Sequence, residues 1–272
     1  LNLHRPYADA VRFACASCKK GMMTRIPEVA DVWFDSGAMP FAQIQNSKIK
    51  MQNEGGKFLY PADYICEAVD QTRGWFYTLL AVATLLGKEA PYRNVISLGH
   101  VLDKEGQKMS KSKGNVVNPS EMIKKYGADT LRWYFYTINA PGDPKRFDEK
   151  DVALKQRSFI NTLWNSFVLF DTYVKKDKGQ KTKDKSKHVL DLWILEKLDV
   201  LIAEVTEKME AYDVTAASRA IEEFTISDFS QWFLRRSRRR MQHPETKADF
   251  DSAGSTSAYV LNVLMRLAAP FV

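Results

Sequence analysis

The sequence predicts an α/β region followed by an all-α region, on three observations. Between residues 62 and 102, short β-branched or aromatic runs flank a long apolar segment. Strand, helix, strand in that order implies a right-handed parallel crossover in an α/β sheet. After about residue 150 strand signals stop and long helical periods begin, with Ile194, Leu198, Leu201, Val205 and Met209 on one stripe. The chain accordingly divides into a cysteine-bearing connective segment at 1–30, an α/β part at 31–150 and a helical bundle at 151–272.

Taken in order, the first segment carries CASCKKG at 15–21. Three runs, DVWFDSG, ADYICEAVD and RNVISLGHVL, are short, rich in β-branched or aromatic residues and bounded by Gly, Asp or Asn. They predict buried strands. Between the second and third, TRGWFYTLLAVATLLGKEAPY is apolar nearly all round and predicts a buried helix ending at Gly87. Open α/β sheets bind ligands at the carboxyl ends of their strands. Val101-Leu102 ends a strand and DKEG at 103–106 makes a turn. Asn118-Pro119 starts a helix, with Asn as N-cap and Pro at the first helical position, and Gly127 stops it. Asp129 is placed to cap the next helix, LRWYFYT. Further helices are expected at 152–174, 215–226, 228–241 and 256–268, with 175–188 an exposed lysine-rich loop.

The chain has 272 residues, 45% hydrophobic and 27% charged, ordinary for a globular protein of two domains. No apolar run approaches the ~20 residues that span a bilayer. LNLHRPYADA at the N-terminus lacks the basic-then-apolar pattern of a signal peptide. Three cysteines point to a reducing compartment rather than a disulfide framework. The net charge is +7, and it is local: KKDKGQKTKDKSK at 175–187 and RRSRRR at 235–240 carry it. Two such patches suit nucleic acid, although solvated faces are the commoner fate of charge runs. Leu1 in first place, and an apolar helical pattern running into Pro270, lead us to expect a piece of something larger.

Between the strand end and the capped helix lies KMSKS, Lys108 to Ser112. Lysine ammonium groups, serine hydroxyls and free backbone N–H groups suit a polyphosphate, because several donors and a mobile cation can follow charge as it builds on leaving pyrophosphate. A chance Lys/Ser surface loop is the alternative, and the position between strand and helix argues against it.

KMSKSKGN at 108–115 resembles the second signature of class I aminoacyl-tRNA synthetases. DVWFDSGAMPFAQ at 31–43, EAVDQTRGWF at 67–76, YGADTLRWY at 126–134 and WFLRRSRRR at 232–240 extend the resemblance over essentially the whole chain, and most strongly to the isoleucine-activating members. It implies the C-terminal half of a Rossmann-like catalytic domain, followed by an anticodon-binding helical bundle. The implied reaction is ATP-dependent formation of isoleucyl-adenylate, then transfer of the aminoacyl group to the 3′ end of tRNA(Ile). ATP with Mg2+, isoleucine and the tRNA are the implied cofactors and partners, for a cytoplasmic protein with no membrane contact that works as a monomer.

By this resemblance Lys108 and Lys111 stabilise the transition state at the ATP phosphates, with Lys111 the more important, and Ser110 and Ser112 assist. The backbone around Met109 meets the adenine. Glu67, Asp70 and Gln71 match the family's acidic strand-end motif, for ribose hydroxyls and the amino acid. Ala68 stands where most members have Gly, whose missing Cβ lets backbone approach the ribose. His100 either approaches ATP or is a packed strand-end histidine. Trp33 and Trp75, with Gln71, match the amino acid pocket. Apolar walls separate isoleucine from valine by one methylene, worth roughly 1–3 kcal/mol. Arg235, Arg236, Arg238, Arg239 and Arg240 would meet tRNA phosphates, with Phe229, Trp232 and Phe233 anchoring their helix. Cys15 and Cys18 make half of a tetrahedral zinc site, so zinc is expected in the intact protein rather than in this piece. The family's HIGH-type first signature and its editing domain are not in this sequence, so the chain alone is expected to be inactive. A valine-activating synthetase and a non-catalytic tRNA-binding module are the competing readings.

Overall fold

The computed structural model describes residues 4–28, 31–46, 60–174 and 188–272. The lysine-rich segment 175–187 lies outside the described residues. The chain packs as two units: residues 1–64 with 70–94, and residues 65–69 with 95–272.

In the first unit a 3-10 turn, Tyr7–Ala10, precedes a two-stranded antiparallel hairpin, β1 (Arg12–Ala14) and β2 (Met22–Thr24), in register Phe13 opposite Met23. Next comes α1, Val32–Asn46. The DVWFDSG run is therefore the start of a helix, not a strand. Asp31 decides this: its Oδ1 accepts the N–H groups of Trp33, at 2.8 Å, and Phe34, at 3.0 Å. An N-cap outweighs the aromatic content of the run. The second helix, α2 (Trp75–Leu85), follows β3 (Ala62–Ala68). It stops where Leu86 N–H bonds back to Val82 and Gly87 adopts φ +63°. Only Phe76, Leu79, Val82 and Ala83 of the 11 residues of α2 are buried, so one face is covered where all-round burial was expected. The two helices meet across Gly37, where an added Cβ would lie 2.6 Å from the Thr78 carbonyl oxygen.

β3 neighbours β4 (Tyr92–Leu98) in a two-stranded sheet, with α2 in the connection. Against the expectation of buried strands, β3 is mostly exposed and β4 is half-buried to exposed, and Ile65 alone of the two is buried. In the second unit β5 (Val101–Leu102) pairs in parallel with β6 (Lys145–Arg146).

The remaining helices belong to the second unit. α3 (Pro119–Tyr126) begins as expected, with Asn118 Oδ1 accepting the Ser120 N–H at 3.0 Å. Gly127 at φ +84° ends α3 and is also the N-cap of α4 (Ala128–Thr137). Asp129 therefore lies in the first turn of α4, where a carboxylate favours the helix dipole, instead of capping it. α5 (Glu149–Lys155) and α6 (Asn161–Tyr173) are joined by a π-helical segment, Gln156–Ile160. α7 spans Val189–Glu210, and its predicted stripe is buried at Ile194, Leu198, Leu201 and Val205, with Met209 packed at the edge. α8 (Val214–Glu223), a π-helical stretch at Phe224–Leu234 and α9 (Arg235–Gln242) form one continuous rod where two helices were expected. α10 starts nine residues earlier than expected, at Lys247, because Thr246 caps the Asp249 N–H at 3.1 Å.

Two cores hold this unit. The larger joins α6 to α10 around Phe159, Phe229, Phe233 and Leu264, and the smaller comprises Leu131, Tyr134, Phe147 and Val152. α4 serves both. Its Trp133 stacks on Phe159 at 3.8 Å between centroids, and its Nε1 donates to Glu222 at 2.7 Å. One residue on, the Tyr134 hydroxyl donates to the Arg146 carbonyl at 2.8 Å.

Candidate functional site

The KMSKS segment sits on the smaller core. Leu102 bridges Lys108 in antiparallel fashion, which closes the Asp103–Gly106 turn. Gly106 has φ +80°, a conformation that glycine adopts at no steric cost. Lys111–Lys113 make one 3-10 turn ended by Gly114 at φ +68°. Met109 packs its side chain against the core, so it anchors the loop. Lys108 and Lys111 are exposed, and among the described residues no carboxylate pairs with either ammonium. The Ser110 and Ser112 hydroxyls lie 3.2 Å apart. The loop thus presents two solvated cations and two adjacent hydroxyls on a fixed base, a donor set suited to phosphate oxygens.

What fixes that base was not anticipated. Asn115 Oδ1 accepts the Ser110 N–H at 2.9 Å, while its Nδ2 donates to Asp103 Oδ2 at 2.7 Å and to the Lys108 carbonyl at 3.3 Å. Asp103 Oδ1 accepts the Gln107 N–H at 2.7 Å. The Asn115 amide first, and the Gln107 N–H second, hold the Asp103 carboxyl below its ordinary range. An Asn closing a Lys/Ser loop and an Asp opening its turn are the only traces this leaves in the sequence.

In the first unit, Trp33, Gln71 and Trp75 come together around Gly74. Gln71 Oε1 caps α2 by accepting the Trp75 N–H at 2.8 Å, which leaves its amide nitrogen to donate elsewhere. Trp75 Nε1 donates to the Ser36 carbonyl at 3.3 Å. A Cβ on Gly74 would come within 3.2 Å of the Trp33 ring and 2.5 Å of Gln71 Oε1, so glycine is what lets the indole lie there. Trp33 remains 46% exposed, an apolar face open to a ligand. Asp70 shares the 3-10 turn Val69–Arg73 with Gln71.

Glu67 and Ala68 end β3, with Glu67 exposed and Ala68 half-buried. Burial, and then the Glu67 charge, push the neighbouring Cys66 thiol up. His100 is half-buried, and its carbonyl accepts the Lys145 N–H at 2.8 Å.

Cys15 and Cys18 flank a tight knuckle. Cys15 N–H donates to the Gly21 carbonyl at 2.8 Å, and Gly21 N–H donates to Cys18 Sγ at 3.3 Å. Those of Gly21 and Lys20, with the Cys15 thiol, hold the Cys18 thiol below its usual range. This donor chemistry fits one side of a tetrahedral zinc site. Among the described residues no three His, Cys, Asp or Glu side chains group to complete it.

The arginine helix divides. Arg235, Arg236, Arg238 and Arg239 are exposed, whereas Arg240 is only 8% exposed. Arg240 makes a two-pronged pair with buried Asp191, at 2.6 and 2.8 Å, and a third bond to Asp249 at 2.6 Å. It is a structural ion pair and leaves the set of candidate phosphate contacts. Phe229 and Phe233 anchor the helix as expected, but Trp232 is 46% exposed. The Arg236 guanidinium lies 3.8 Å over the Trp232 ring, Trp193 is 6.2 Å beyond, and Lys197 stands 5.9 Å over Trp193. Cations stacked on exposed aromatic rings suit nucleic acid. Trp193 and Lys197 were missed because nothing in the spacing links α7 to α9.

The family described as tRNA synthetases class I (I, L, M and V) matches residues 2–146, and the anticodon-binding domain of tRNA ligases matches 191–272. Isoleucine–tRNA ligases of Clostridium novyi and Dehalococcoides mccartyi are 46% and 47% identical over the whole chain, which spans 26% and 27% of their lengths. The chain therefore covers about a quarter of these relatives. Among solved structures, a leucyl-tRNA synthetase of Agrobacterium radiobacter in ternary complex with tRNA and LeuAMS aligns over 96% of this chain and 32% of its own, with TM-score 0.70 and 21% identity. A Mycobacterium tuberculosis methionyl-tRNA synthetase bound to methionyl-adenylate aligns over 90% and 48%, with TM-score 0.65 and 24% identity. Those two likenesses carry the fold. The family match over more than half of the chain takes in the KMSKS loop and the Trp33–Gln71–Trp75 cluster, and on that ground the chain belongs to the class I tRNA synthetases of the isoleucine, leucine, methionine and valine group.

Proposed function

We propose that this chain works in an isoleucine–tRNA ligase. It would carry the KMSKS half of the catalytic apparatus and a tRNA-binding helical region. The observation that supports this most is the solvated Lys108–Ser112 loop held on a fixed base, in a chain nearly half identical to isoleucine–tRNA ligases.

In this reading the isoleucine carboxylate attacks the α-phosphate of ATP, the bond to pyrophosphate breaks, and isoleucyl-adenylate forms. The tRNA 3′ hydroxyl then attacks the aminoacyl carbonyl, and AMP leaves. Neither step uses a side-chain nucleophile, so the protein's part is positioning and charge neutralisation. Lys111 and Lys108 follow the negative charge that builds on pyrophosphate, and the Ser110 and Ser112 hydroxyls donate to its oxygens. Mg2+ accompanies ATP as substrate. Trp33 and Trp75 receive the branched side chain, and Gln71 Nε2 donates to the substrate. Glu67 and Asp70 accept from ribose hydroxyls. Arg235, Arg236, Arg238 and Arg239 meet tRNA phosphates.

Amino-acid-dependent ATP–pyrophosphate exchange tests this in the full-length gene product that contains the chain. Isoleucine should support exchange far better than valine, and Lys111→Ala should abolish it. Silence with both amino acids would leave a tRNA-binding relative as the better account.

A further inference from the structure

We propose that Asp103 and Asn115 form a clasp that positions the KMSKS lysines, so that both are positioning residues for ATP activation. This rests on the loop's reading as the ATP-phosphate element. The clasp joins the two ends of the loop across twelve residues. Asp103 Oδ2 receives the Asn115 amide at 2.7 Å, Asp103 Oδ1 receives Gln107 N–H at 2.7 Å, and Asp103 N–H donates to the Gln107 carbonyl at 2.9 Å. On the other side Asn115 holds Ser110 N–H at 2.9 Å and the Lys108 carbonyl at 3.3 Å. The backbone on both flanks of Met109 is thereby tied to one amide group.

The consequence is a division of labour. The side chains of Lys108, Lys111 and Ser112 are exposed and that of Ser110 is half-buried, while the backbone groups that set their positions bond to Asn115 and, through Gln107, to Asp103. Any 1 Å shift of Ser110 moves Lys111 with it, and reacting groups tolerate such shifts poorly. Neither clasp residue meets the phosphates. Both line a cavity of about 540 Å3, together with Val117, Tyr126 and Phe147.

The bonding pattern gives a specific test. Asn115→Asp puts two carboxylates face to face, removes the donor and retains the Ser110 contact. The pair would then share a proton, as close carboxylates do. The charged residues that line the cavity with Asp103 are Lys104, Glu105, Asp148, Glu149 and Lys150; the Lys113 charge also favours the ionised form of Asp103, and the Arg146 guanidinium of β6 lies beside Gly106 in the same turn. All are unchanged in the variant. Adding Asp103→Asn restores a donor at 103 facing an acceptor at 115 and keeps the Gln107 and Ser110 contacts, so that of the clasp's bonds only the one to the Lys108 carbonyl stays broken.

The experiment is ATP–pyrophosphate exchange in the full-length gene product, measured against pH, with kcat and both KM values resolved. Asn115→Asp should lose about tenfold or more in kcat, the scale of one charge-assisted hydrogen bond, with the KM for isoleucine unchanged. That loss should shrink as pH falls and the dyad takes up a proton. The Asp103→Asn/Asn115→Asp double variant should recover most of kcat and lose the added pH dependence. Thermal melts of all variants confirm that they fold. The clasp is overturned if the double variant is no better than Asn115→Asp. It is equally overturned if Asn115→Asp is as active as wild type while Lys111→Ala is dead, a result that leaves the loop's assignment standing. If Lys111→Ala is itself fully active, the assignment falls and the clasp falls with it.

Discussion

Arg238 and Arg240 stand two positions apart on α9 and have opposite fates. Arg240 lies against Asp191, which is fully buried. Removing one partner of such a pair strands the other charge. Arg240→Met should cost about 3–5 kcal/mol in urea unfolding, and Arg238→Ala, at an exposed position, within about 0.5 kcal/mol. Equal losses would mean that Arg240 is not held as described. Asp103 makes a second residue-scale prediction. Its carboxyl is held below the ordinary carboxylate range, so its contribution to loop order is complete above that range and is lost as pH falls through the lowered value. Hydrogen-exchange protection of Gln107 and Ser110 amides should therefore persist at neutral pH and drop well below about pH 4. Protection that survives full protonation would contradict this. Lys108 and Lys111 stood out in the sequence because they belong to a dense local motif, whereas Trp33 and Trp75, far apart in the chain, were singled out only by the family resemblance. The Arg240 pairing was not legible in the sequence, because Asp191 lies 49 residues away and helical spacing sees only one helix at a time.

Among the elements, α1 and α2 are held together by the absence of a side chain. At Gly37 the opposing atoms are Thr78 backbone, which cannot swing aside. Gly37→Ala should force the helices apart and cost roughly 1–3 kcal/mol, measurable as a lowered melting midpoint. An unchanged midpoint would show that the pair is loosely packed. The strand expected at 31–37 shows the limit of reading composition. Aromatic and β-branched content favours a strand over a few residues, but a single Asp accepting two N–H groups reverses the outcome. The helix at α3 was foreseeable because its Asn-Pro start is a local signal. The two π-helical segments were not, since periodicity near 3.6 hardly separates one hydrogen-bond register from the next.

For the whole molecule, the sequence shows a change of texture near residue 150, whereas the compact units divide at residues 94 and 95, so that the helices on either side of 150 share one unit. The packing was not visible, because α4 looks from the sequence like one more amphipathic helix. The exposed arginines act at this scale too. If they meet tRNA phosphates, Arg235→Ala with Arg238→Ala should weaken binding at every sequence and flatten the salt dependence by about one to two counterions. A slope equal to wild type would place the tRNA elsewhere. The position of α4 has a consequence for how the second unit comes apart. Trp133 is committed to one core and Tyr134 to the other, on the same two turns of backbone. Melting either core frees α4 and thereby removes a wall of its neighbour. Residues 95–272 should absorb heat in one cooperative step, with no half-molten form in which the loop's base survives the loss of the bundle.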